Sequence, residues 1–162
     1  MRRMSERTNS VLRDELLRMM HEDQESFSKR DSNHEHHKTR LKEIIQEFGW
    51  PTRELVGADG AIAAWIIVQH DDDLPWMKEC LKRMEALMEC DEVRREDVAY
   101  LRDRICVAQG RPQRYGTQCI PSADGTISLA PVDDPIRVDE YRRSMGILES
   151  VEQYLAFMRS RK

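Results

Sequence analysis

Apolar residues recur along this chain mostly at helical spacing. After Ser10, an N-cap type, Val11, Leu12, Leu16, Met19 and Met20 share one stripe, which predicts a helix over 10–28. Residues 1–9 read as a basic tail, and Lys29 to Asn33 as a polar connection. Leu41, Ile44, Ile45 and Phe48 recur at i, i+3, i+4 and i+7 and predict a second helix from His34 to Phe48. Gly49 stops it, and Pro51 prevents its continuation. Thr52, Glu54 and Leu55 suggest a short helical turn that Gly57 ends.

The stretch from Ala58 to His70 holds AIAAWIIV, apolar on every face, and predicts a central helix. Its β-branched residues also suit a strand, but the alanines and flanking helices favour helix. Asp73 suits the cap of the next helix, with Pro75 in its first turn and Trp76, Cys80, Leu81, Met84, Leu87 and Met88 facing inward, ending at about Cys90. A further helix covers Arg95 to Gln109, and Gly110 stops it. Residues 111–137 are rich in proline and glycine, and Asp124-Gly125 is a turn signal beside the β-type run Thr126 to Leu129. Short helices follow at 138–145 and 150–161, where Ser150 and Gln153 match a capping box. No repeat, low-complexity segment or linker is visible. The expected fold is mostly α: one helical bundle over 10–162, of about six to seven helices, with a small β-hairpin or ordered loop near 118–132.

Composition narrows the function classes. At 162 residues the chain can bury a core without staples. A net charge of −4 argues against a general nucleic-acid binder, which would carry a basic stripe. The longest apolar run, Ala61 to Val68, is too short to span a membrane. Cys80, Cys90, Cys106 and Cys119 form no CxxC pair, so a zinc ribbon or redox pair is not expected. Free cysteines and the absence of an apolar leader point to the cytoplasm. Cys119, beside the polar segment, is the cysteine to test for reactivity.

Five features invite chemistry. The first runs from Asp103 and Arg104 through Gly110 to Gln113, Tyr115, Gly116, Thr117 and Gln118, dense in directional donors and acceptors. It suits a polar pocket, or a loop satisfying its own backbone. The second is Gln69-His70-Asp71-Asp72-Asp73, where His70 closes the apolar helix as a candidate acid/base group or a dipole-stabilised cation. The third is His34-Glu35-His36-His37; His34 and His37 share a helix face, and a metal there would need His70, His21 or Asp23 as well. The HExxH order is absent. The fourth, Asp23-Gln24, is by itself an ordinary helix surface. The fifth is Arg142-Arg143 with Asp139; Asp139 and Arg143 can pair, leaving Arg142 to face a pocket and bind an anionic group.

Several motifs in order resemble one family: Asp23-Gln24, Leu41…Ile44-Ile45 into Gly49-Trp50-Pro51, Val56-Gly57, Ala63-Ala64-Trp65, Gln69-His70, Ala99-Tyr100-Leu101, Asp103-Arg104, Gln113, Tyr115-Gly116-Thr117-Gln118, Arg142 and Gly146. The chain is similar over most of its length to the bacterial DUF6624 family, a domain of unknown function common in actinobacteria. The resemblance implies that Gln69, His70, Asp103, Arg104, Gln113, Tyr115, Gln118 and Arg142 belong to one set that converges in space. It implies no reaction. His34 and His37 depart from its pattern, which has an acid and an amide there.

The leading expectation is a polar small-molecule pocket, in an enzyme of hydrolase, lyase or cyclase type if catalytic. In it His70, Asp103 and Tyr115 would be catalytic, and Gln69, Arg104, Gln113, Gln118 and Arg142 would bind substrate. No nucleotide-binding loop or serine elbow is present, and no cofactor is expected. The alternative is a protein-interaction module whose buried polar network is structural. A metal site at His34 and His37 is the minor reading. The expected partner is a small molecule, with neither nucleic acid nor membrane; a homo-oligomer stays open.

Overall fold

The computed structural model describes residues 8–25 and 30–161. Residues 1–7 of the predicted tail, residues 26–28 of the first helix, Lys29 and Lys162 lie outside the described residues. The fold is mostly α, 66 % helical, with seven helices and one two-stranded sheet among the described residues. The chain divides into two compact units, Met1–Val93 and Arg94–Lys162.

The first unit contains α1 (Ser10–Glu25), α2 (Arg30–Phe48), α3 (Arg53–Gln69), α4 (Leu74–Leu87) and a 3-10 turn at Met88–Cys90. Helix α2 begins earlier than its apolar stripe, because Arg30 to Asn33 contain no glycine or proline to stop it. Thr52 caps α3 by accepting from the Leu55 amide, and Gly57 at φ +75° kinks it. The short turn and the apolar helix foreseen in the sequence are thus joined through one glycine. The buried side chains Leu12, Leu16 and Met19 of α1 pack with Val56, Ala63, Ala64, Ile67 and Val68 of α3, and α2 adds Leu41, Ile44 and Ile45. Asp73 caps α4 by accepting from the Trp76 amide, with Pro75 in the first turn.

The second unit contains α5 (Arg95–Ala108), the antiparallel strands β1 (Cys119–Pro121) and β2 (Ile127–Leu129), α6 (Val138–Ser144) and α7 (Val151–Ser160). Cys119 pairs with Leu129, and Pro121 with Ile127. The intervening turn closes through Ser122, Asp124 and Gly125. The capping box is present: Ser150 accepts from the Gln153 amide, and the Gln153 side chain accepts from the Ser150 amide. Helix α7 packs on β2. Among the described residues no helix is long and apolar enough to cross a membrane.

Candidate functional site

Of the eight expected site residues, Gln69 and His70 lie in the first unit, and Asp103, Arg104, Gln113, Tyr115, Gln118 and Arg142 in the second. Each unit holds a polar network of its own.

The first network is built where helix ends meet. Packing of α1 against α2 and α3 brings the end of α1, the start of α2 and the end of α3 into reach of one another. Asp23, on the last turn of α1, has a side chain only 5 % exposed. Its Oδ2 lies 2.7 Å from His70 Nδ1, and its Oδ1 lies 3.0 Å from His34 Nδ1. On the far side of the His34 ring, Nε2 lies 3.2 Å from Oδ2 of the fully buried Asp71. Asp71 Oδ1 accepts the Asp73 amide at 2.7 Å and stands 3.5 Å from Lys38 Nζ. Lys38 also contacts Asp73 and Glu35, each at 3.2 Å. Basic and acidic side chains therefore alternate along a chain: His70, Asp23, His34, Asp71, Lys38, Asp73.

The electrostatics follow from this order. Burial by itself would raise the Asp23 carboxyl, but the hydrogen bonds from His34 and His70 outweigh it and hold it well below the usual range. The same balance, with His34 as the main partner, brings Asp71 down to about 2. Hydrogen bonds to Asp23 and then Asp71 push His34 up to about 9, against the opposing effect of burial. An ionised carboxylate only accepts, so His34 donates from Nδ1 to Asp23, while Nε2 faces Asp71 Oδ2 without hydrogen-bond geometry, and the carboxylates on both sides favour the imidazolium. His70 likewise faces the Asp23 carboxylate with Nδ1, which therefore carries hydrogen, and Nε2 is the nitrogen left to exchange a proton. The His70 side chain is 37 % exposed, and Nε2 makes no hydrogen bond among the described residues. Gln69, the residue before it, keeps Oε1 buried and without a hydrogen bond among the described residues.

His37 runs beside this chain, with Nε2 3.0 Å from Glu22 Oε2. The two histidines singled out for metal binding are thus each held by carboxylates. Among the described residues no group of three or more His, Cys, Asp and Glu side chains is gathered as a metal site requires.

The second network is centred on Asp103 of α5, 1 % exposed. Its carboxylate accepts from the amides of Arg114, Tyr115 and Thr117 and from the Thr117 hydroxyl. Burial pushes its carboxyl up, opposed by these donors. Gln113, also buried, donates to the carbonyls of Gln118 and Ala130 and accepts the Gln118 amide. Arg142 of α6 is fully buried and donates to the carbonyls of Glu149, Tyr115 and Gly116. Tyr115 is buried and its hydroxyl accepts from Arg102, while Gln118 donates to the Thr117 hydroxyl. Arg104 is half-buried on α5. Asp139 accepts the Val151 amide and so ties α6 to the start of α7. The Cys119 thiol is raised by burial, the opposite of an activated nucleophile.

Asp23 is the residue whose weight was hardest to see in the sequence, since an acid late in an amphipathic helix is common. Lys38 gave no local signal at all. Neither did Tyr154, whose hydroxyl donates to the Thr117 carbonyl at 2.8 Å. No curated protein and no solved structure matches the chain. The family model described as a family of unknown function, DUF6624, matches residues 12–161, and the chain belongs to that family.

Proposed function

We propose that the first unit carries an acid/base site for a small polar molecule, with His70 as the group that exchanges the proton and Asp23 as the residue that orients it. The observation that carries this reading is the 2.7 Å contact between His70 Nδ1 and Asp23 Oδ2. A buried carboxylate that holds one imidazole nitrogen presents the other in a defined tautomer, the arrangement general acid/base catalysis needs. Partial exposure of His70 gives a substrate access. The unsatisfied Oε1 of Gln69 offers an acceptor to a bound donor. Hydrolysis, elimination and cyclisation all fit, since each needs only a positioned proton carrier. Asp23 takes, beside His70, the place that the sequence suggested for Asp103.

The test is a turnover screen of model esters, lactones and β-elimination substrates in the presence of the wild-type chain. Activity on one class should vanish in His70→Gln and fall by roughly 100-fold in Asp23→Asn. Undiminished turnover in folded His70→Gln, or no turnover of any class by the wild type, would reject the catalytic reading.

For the second unit a different reading is favoured by a specific observation. Asp103, Gln113 and Arg142 direct most of their buried polar atoms to main-chain partners. Their part in this reading is to hold the 113–118 segment in one conformation, as an interaction module would require.

A further inference from the structure

We propose that His34 is a positioning residue for His70: the two rings share the Asp23 carboxylate, and the fixed positive charge of His34 sets how firmly His70 holds its proton. The inference rests on the reading of His70 as the acid/base group, but its test reads the coupling directly.

Two demands on an imidazole beside a carboxylate conflict. A lone carboxylate against an imidazole stabilises the imidazolium and so resists deprotonation. A general base must give up its proton near neutral pH. Asp23 resolves the conflict by facing two rings, one through each oxygen. His34 is the ring with carboxylates at both nitrogens, Asp23 at 3.0 Å and Asp71 at 3.2 Å, and its side chain is 15 % exposed. It is therefore the ring that keeps the charge. Once one oxygen of Asp23 is answered by that cation, its pull on the His70 proton is divided.

Other charged groups surround the pair. Helix α1 contributes Glu22, which bonds His37. Helix α2 contributes Glu35 and Lys38, with Lys42 at 4.0 Å from Asp73. The segment after α3 contributes Asp71, Asp72 and Asp73. Lys38 faces three carboxylates, those of Glu35, Asp71 and Asp73, and His34 two. His34 is the cation that shares a carboxylate oxygen pair with His70, so removing it should be felt at His70 above all.

The experiment is an imidazole nitrogen NMR titration of the full chain, whose five histidines are assigned by single substitutions. In the wild type, both His34 nitrogens should be protonated at pH 7.5, with a midpoint near 9. A neutral His34 ring at that pH overturns the proposal without any variant having to fold. In His34→Gln, the His70 midpoint should rise by about one pH unit, because Asp23 then faces His70 alone. An unchanged or lowered midpoint overturns it. The same substitution in an Asp23→Asn background should shift His70 by less than half as much. A full shift there would show that the coupling bypasses Asp23. If all three results hold while His70→Gln retains turnover, the coupling stands and the acid/base reading falls.

Discussion

Asp103 Oδ2 accepts both the backbone amide and the side-chain hydroxyl of Thr117, at 3.1 and 2.9 Å. Eleven to fourteen residues separate Asp103 from the three amides it receives. One carboxylate thus fastens the segment after α5 back onto that helix. Asp103→Ala would leave these buried donors without a partner, each at a cost of about 1–3 kcal/mol. The expected result is a loss of at least about 3 kcal/mol in urea unfolding. A loss below about 1 kcal/mol would mean that the segment does not depend on this anchor.

Gly116 lies inside the same fastened segment at φ +61°. A Cβ there would come within 2.6 Å of Val151 Cγ2 and 3.3 Å of Val138 Cγ2. Both neighbours are β-branched and stiff at χ1, so neither can easily swing away. The left-handed backbone adds roughly 1–2 kcal/mol for any residue with a side chain. Gly116→Ala should therefore destabilise the protein by more than about 2 kcal/mol, with thermal unfolding as the measure. A neutral substitution would contradict the close approach of α7.

Asp97 in the first turn of α5 is 4 % exposed, and burial pushes its carboxyl up to about 6, against a smaller opposing effect of Arg94. Its folded pKa lies above the unfolded value, so its contribution to stability is present below about pH 4 and is lost as pH rises through about 6. The stability difference between wild type and Asp97→Asn should then shift against the wild type over that interval. Denaturant unfolding at several pH values measures it. A flat difference between pH 4 and 7 would show that Asp97 ionises as a solvated carboxylate does.

What was legible in the sequence is what the backbone decides locally. Asp73 with Pro75, Ser150 with Gln153, and Asp124-Gly125 act within one turn of chain, and each does so as its spacing suggests. The apolar stripes of α1 and α2 set most of the residues that turn inward, with Val11 and Phe48 left exposed. The polar run from Asp103 to Gln118 was visible as a density of donors and acceptors. Its direction was not, because Asp103 and Gln113 reach main-chain groups whose positions depend on a folded loop.

Asp23 marks the limit of sequence reading most sharply. It pairs with His70, 47 residues away, and with His34, 11 residues away. On its own helix it looks like any solvated acid. Only the packing of three helix ends places it between two imidazoles and removes it from water. Burial then makes those contacts strong enough to fix which ring holds the charge. The sequence by itself determined the helices, their caps and the buried faces, since these depend on neighbours within a few residues. The tertiary structure alone decided which side chains share a charge, because that depends on distances between segments that no local pattern encodes.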